Sequence, residues 1–109
     1  MDGYRTAQIY VDDRLAGLLK ETEGGYSFEY DNDYVSSPEA LPVSLTLPLR
    51  RNPYTSEVLF SFFDGLIPEG WLLDVVVHNW KLDPRDRFGL LLVSCADPIG
   101  NVYVREADE

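Results

Sequence analysis

RTAQIYVDDRLAGLLKETEGGYSFEYD, residues 5 to 31, sets the fold class. Residues 5–11, RTAQIYV, alternate apolar and polar side chains and run into Asp12-Asp13. RLAGLL, 14–19, follows at once. Two short runs about a polar pair predict a β-hairpin, although Asp-Asp is a weaker turn than Asn-Gly. Gly24-Gly25 is a second turn signal. In YSFEYD, Tyr26, Phe28 and Tyr30 share one face while Ser27 and Glu29 take the other, the clearest strand in the chain. Residues 31–42 are polar and acidic, with Pro38 and Pro42, and read as a loop. VSLTLPL, 43–49, predicts a further strand with Val43, Leu45 and Leu47 on one face, ended or placed on an edge by Pro48. Residues 50–54 read as another loop.

The pattern then turns helical. Thr55 or Ser56 is a plausible N-cap, with Glu57 in the first turn. The segment EVLFSFFDGL carries Phe60, Phe62 and Phe63 and stops near Gly65. Pro68 suits the first position of a second helix, with Glu69 beside it. Apolar residues at 71, 72, 75, 76 and 80 form its stripe, widened by Leu73 and Val77. Asp83-Pro84 signals a third start, with a helix from Pro84 to about Ser94 that turns Phe88, Leu91 and Leu92 inward. Pro98 and Gly100 break the chain before a last short strand, NVYV, 101–104. The tail 105–109, READE, is acidic and expected to fray. Strands, then helices, then one strand, with links too short for crossovers, predict an α+β fold: a small antiparallel β-sheet packed with two or three helices. We expect a single domain over 1–109, ordered over about 5–104.

Composition limits the chemistry. At 109 residues, 45% hydrophobic and 26% charged, the chain suits one globular domain. One cysteine, Cys95, excludes an internal disulfide, and with one histidine, His78, the common Cys/His metal sites cannot be assembled in one chain. Neither GxxxxGK[ST], GxGxxG nor GxSxG occurs. His78 sits in a helical stretch with no paired nucleophile, Cys95 reads as a structural thiol, and the Asp12-Asp13 and Asp31/Asp33 pairs read as solvated turns. We therefore expect no catalytic residues, no metal and no cofactor. The net charge of −10 argues against nucleic acid and anionic membrane as direct partners. It favours a partner with a basic patch. Residues 21–49 hold six acids and no base, a weaker hint of a nucleic-acid mimic. No apolar run is long enough to span a membrane and the N-terminus lacks a secretory pattern, so a cytoplasmic protein is expected.

FFDGLIPEGW, 62–71, is unlike its surroundings. It packs two aromatics, an Asp-Gly break, Pro-Glu-Gly and a tryptophan into ten residues. Gly70 inside a helix start costs about 1 kcal/mol relative to alanine. Tryptophan is enriched at interface hot spots. Phe62, Phe63, Ile67 and Trp71 either join two helices to the core or form a protrusion that meets a partner; spacing leaves both open.

FSFFDGLIPEGWLLDVVVHNWKLDPRDRFGLLL resembles the N-terminal subdomain of the HipA-type serine/threonine kinase toxins. IYVDDRLAGLL, YSFEYD, LPVSLTLPLR before NPYT, and DPIGNVYV follow that family's order, so the resemblance covers about 5–104. In the family a kinase body follows this subdomain, and these 109 residues carry no ATP loop, catalytic aspartate or magnesium ligand of that body. A free-standing copy is similar to the small antitoxin of the three-gene HipBST systems. The resemblance implies a protein that binds and inhibits a HipA-like kinase toxin (HipT) lacking the subdomain, alongside a helix-turn-helix DNA-binding protein (HipB). The unusual segment 62–71 and the resemblance together suggest a partner-binding set of Trp71, Glu69, Asp64, Phe63, Pro68 and Gly70, with Trp71 as a wedge near the nucleotide loop or between lobes. Trp80, late in the stripe, reads as core. The alternatives are a non-inhibitory structural subunit or an N-terminal fragment of such a kinase. Met1 and the acidic tail favour a complete gene product.

Overall fold

The computed structural model describes residues 4–67, 73, 75, 77–79, 81, 83, 85–94 and 102–106. The chain forms β1 (Thr6–Val11), β2 (Arg14–Thr22), β3 (Gly25–Tyr30), a one-turn helix α1 (Asn32–Val35), β4 (Tyr54–Ser56), a second one-turn helix α2 (Ser61–Asp64), α3 (Arg87–Ser94) and β5 (Val102–Glu106). The five strands make one antiparallel sheet in the order β4-β3-β2-β1-β5. This is the α+β architecture expected from the sequence.

The β1–β2 hairpin turns through Asp12 and Asp13, whose φ angles of 51° and 67° are both left-handed. Aspartate tolerates that region through its short polar side chain, so Asp-Asp serves where Asn-Gly is commoner. The register shifts after Ile9, which faces Gly17, so that Tyr10 faces Leu15 and Ala16 is the extra residue of a bulge. The carbonyl of Ala16 then accepts the N–H of Asp31 at 2.7 Å. Asp31 caps α1 in turn, accepting the N–H of Tyr34 at 3.2 Å. Gly17 is required beneath β3: a methyl group there would overlap the carbonyl of Glu29 and press on the Phe28 ring.

One face of the sheet is the core. Ala7, Ile9 and Val11 of β1, Leu19, Phe28 and Val104 lie fully or almost fully buried there. Phe63, Phe88, Leu90 and Leu91 close over them from the helical side. The inward turn of Phe88 and Leu91 agrees with the helical stripe read from the sequence, while Leu92 is only partly buried.

Five local expectations are corrected. Residues 43–49 are not a strand. Pro42 and Pro48 withhold two N–H groups, and the Leu47 N–H closes a tight turn on the Ser44 carbonyl at 3.1 Å. The loop 31–42 begins with α1 rather than running irregularly throughout. The residues expected to cap a helix at 55–56 belong to β4, and the Ser56 hydroxyl accepts the N–H of Val58 at 3.2 Å in a local turn, so the helix is confined to Ser61–Asp64. The third helix starts at Arg87. Asp83 spends its carboxylate on the Arg85 N–H at 2.9 Å, while Asp86 accepts the Gly89 N–H at 3.1 Å and serves as the cap. At the far end β5 runs to Glu106, two residues beyond the expected 104, because Ala7 and Gln8 offer it partners. Trp80 and Cys95 lie outside the described residues.

Arg5 ties the ends of these elements together. Its guanidinium binds Glu21 in bidentate fashion, at 2.8 and 2.9 Å, and Asp86 at 2.7 and 3.0 Å, and lies 5.2 Å from the Phe88 ring centroid. The triad fills the space above α3, and a methyl group at Gly89 would overlap the Asp86 carboxylate. Arg5 holds both carboxyls below their ordinary range and is itself pushed up by them. Lowered carboxylate pKa values contribute stability that is present above the unfolded-state values and lost as pH falls through the folded ones. The unfolding midpoint should therefore drop as pH is taken from about 5 to about 3. Arg5→Gln should cost about 1–3 kcal/mol at neutral pH and flatten that acid dependence, as read by thermal melts across the range.

Candidate partner interface

The segment singled out in the sequence is anchored as far as Ile67. Its first turn, α2, has Phe60 at the N-cap without a side-chain capping bond. The turn holds through Asp64 N–H to the Phe60 carbonyl and Gly65 N–H to the Ser61 carbonyl, both 2.9 Å. Ile67 N–H then reaches the Asp64 carbonyl at 3.2 Å. Packing does the rest. Phe63 meets Phe28 at 5.4 Å, Phe62 at 5.2 Å and Phe60 at 6.3 Å between ring centroids, in tilted and edge-on geometries that suit aromatic quadrupoles. Leu73, helical and partly buried against the core, holds the chain again on the far side, with Val77 one turn on.

The residues expected from the sequence to meet a partner divide accordingly. Phe63 has no exposed surface. Its place is in the core, so whatever it does for a partner it does by holding α2 in position. Asp64 is half-buried and accepts Arg87 Nε at 2.7 Å, which ties α2 to the first residue of α3. Pro68, Glu69, Gly70 and Trp71 lie outside the described residues. The Arg87–Asp64 pair was not legible in the sequence, since 23 positions separate the two and no periodicity links them.

A second structured region lies beside β4. The Tyr30 hydroxyl, inside the core, accepts the Val43 N–H at 3.0 Å and donates to the Leu47 carbonyl. Burial pushes this phenol up to about 12, so it stays protonated and able to donate. Tyr34 grips the same loop from α1, accepting the Leu41 N–H at 3.1 Å and donating to the Leu41 carbonyl at 2.7 Å. Beyond these bonds lies a shallow hollow of about 240 Å³, lined by Thr46, Leu47, Ser56, Val58, Leu59 and Phe60. Another, of about 320 Å³, is lined by Thr22, Gly24, Tyr26, Thr55, Ser56 and Glu57, with no cation in its lining. Among the described residues no group of His, Cys, Asp or Glu is placed to hold a metal ion, and no helix is long and apolar enough to cross a membrane.

Sheet order, bulge and buried aromatic contacts define a small α+β domain with one packed sheet face. The chain belongs to the HipA N-terminal domain family, which it matches over residues 7–105. It is similar to a solved structure of the N-terminal domain of HipA toxin, with a TM-score of 0.72 and 29% identity over 96% of this chain and 94% of that one. It is 32% identical to an uncharacterized protein of Haemophilus influenzae over 105 residues, 96% of this chain and 95% of the relative. It is 28% identical over 106 residues to the proposed kinase Y4mE of Sinorhizobium fredii, but spans only 25% of that relative's length.

Two substitutions separate anchoring from contact. Phe63→Ala should cost about 3–5 kcal/mol in urea unfolding, because it empties the space between α2 and β3. Asp64→Asn should cost about 1 kcal/mol or less, since its ion pair is half-exposed.

Proposed function

We propose that this protein docks on a HipA-type serine/threonine kinase and restrains it, as the antitoxin of a HipBST-type system in the manner of HipS. The observation that carries the proposal is the pair of relatives. The Haemophilus protein is matched over 95% of its length, so there the domain stands without a larger body. In the rhizobial relative the same domain is one quarter of a chain named for a kinase. A domain that occurs in both settings is suited to meet its kinase in trans. In this proposal the chain is no enzyme, needs no cofactor and works in the cytoplasm with its kinase, HipT, and the DNA-binding HipB.

The charge of −10 supports the same reading, because a kinase cleft that handles nucleotide phosphates presents cations and steers an acidic partner inward. Trp71 is the wedge of the proposal. Glu69 and the half-exposed Asp64 offer carboxylates to lysine or arginine on the kinase, and Phe63, Pro68 and Gly70 complete the proposed contact set. The rhizobial relative favours a second reading, in which the domain completes a kinase without inhibiting it.

The test is co-purification from the source cell followed by a kinase assay with and without this protein. Inhibition of tenfold or more at equimolar protein is expected, to be relieved by Trp71→Ala with the fold's melting point kept. Unchanged or raised activity selects the structural subunit. Full inhibition by the Trp71→Ala protein removes the wedge.

A further inference from the structure

Residues 40–49, ALPVSLTLPL, carry no ionisable side chain in a chain where 26% of residues are charged. They also hold Leu45, the most exposed large apolar side chain among the described residues. Leu45 is 95% exposed and Leu41 55%, and across the hollow beside β4 Val58 is 69% exposed. Leu45 stands at the tip of the Ser44–Leu47 turn, and that tip is built to be rigid. The Ser44 and Thr46 hydroxyls are bonded at 2.9 Å, the Thr46 N–H reaches Ser44 Oγ at 3.2 Å, and the stem is tied from within the core by Tyr30. A side chain held this way loses little further freedom on binding, which is what an anchor residue requires.

The surroundings resemble an interface centre with its rim. Arg50, 3.6 Å from the Tyr54 ring centroid, donates to the carbonyls of Asn52 and Pro53, and Arg51 donates to the Ser36 hydroxyl at 2.8 Å. Together with the exposed Glu39 and Glu57 they flank the uncharged stretch with both signs of charge. Depletion of charge at the centre and polarity at the edge is the usual composition of a protein–protein contact. A second copy of this chain would bring another −10 to the contact, which disfavours self-association. The rhizobial relative points to the fitting class of body, because there a domain 28% identical to this chain shares one polypeptide with about three times its own length.

We propose that Leu45, with the exposed Leu41 and Val58, is an apolar anchor that seats this domain in a hydrophobic socket on the body of a HipA-type kinase. The inference rests on the functional reading above, and the test separates the two. Wild type, Leu45→Asp, Val58→Asp and, as a matched control, Val75→Asp from the helical region are titrated by calorimetry. The titrant is the HipA-type kinase of the same genome, freed of any N-terminal domain of its own. Loss of one buried leucine or valine contact should weaken binding about 10- to 100-fold in the first two variants, with melting points unchanged and the control binding as wild type. Equal binding by wild type and Leu45→Asp overturns the anchor and leaves the kinase-partner reading standing. No binding by wild type overturns that reading and the anchor with it. A dimer of the free chain by light scattering, dissociated by Leu45→Asp, makes a second copy the occupant and overturns the kinase socket.

Discussion

The Arg5 guanidinium is the point on which the arrangement of sheet and helix depends. It sits immediately before β1, and its two carboxylate partners come from the end of β2 and the residue that caps α3. The triad fixes three element ends in one place and gives α3 its first hydrogen bond. It also favours a glycine at position 89, where a side chain would displace the Asp86 carboxylate. With α3 placed, Phe88, Leu90 and Leu91 fall onto the sheet, and Arg87 is delivered to Asp64. The position of α2, and with it the start of the proposed contact segment, follows from that ion pair and from Phe63.

On the other flank the organising groups are phenols. Tyr30 and Tyr34 stack at 6.3 Å between ring centroids, and each spends its hydroxyl on the backbone of the 41–47 loop. Buried N–H and C=O groups without ladder partners would each cost a desolvation penalty. Here the two tyrosines satisfy those groups at the stem and leave the tip to solvent. A loop held this way can carry an exposed leucine without collapsing that leucine into the core, so the same bonds that stabilise the fold create the surface feature.

The strands at 6–30 were legible because alternation has a period that burial on one face enforces: Ala7, Ile9 and Val11, then Phe28 and Tyr30, all point inward. The same logic misplaced 43–49. Val43 and Leu47 do turn inward, but a turn between them throws Leu45 out, and the distant Tyr30 hydroxyl, together with the N–H groups that Pro42 and Pro48 withhold, explains why a turn wins over a ladder. The cap at Asp86 was hidden for a similar reason. Asp83-Pro84 is the stronger local signal, and Asp86 prevails because Arg5, 81 positions away, holds its carboxylate in place. The bulge at Ala16 leaves no trace in composition at all. As for the site, Asp64 and Phe63 were visible as residues, whereas their roles, one tied to Arg87 and one wholly within the core, came from contacts that no local spacing encodes.

The sheet order also dictates the sequence of events during synthesis. β1, β2 and β3 are consecutive, so a nascent chain can pair them as soon as Tyr30 has emerged. The other side of β1 waits for Val102–Glu106, about seventy residues later. Throughout that interval the growing polypeptide carries an open strand edge of the kind that invites wrong pairing. The last strand of this sheet to emerge is thus the one that seals the first. Any product that stops short of it keeps an adhesive edge on β1.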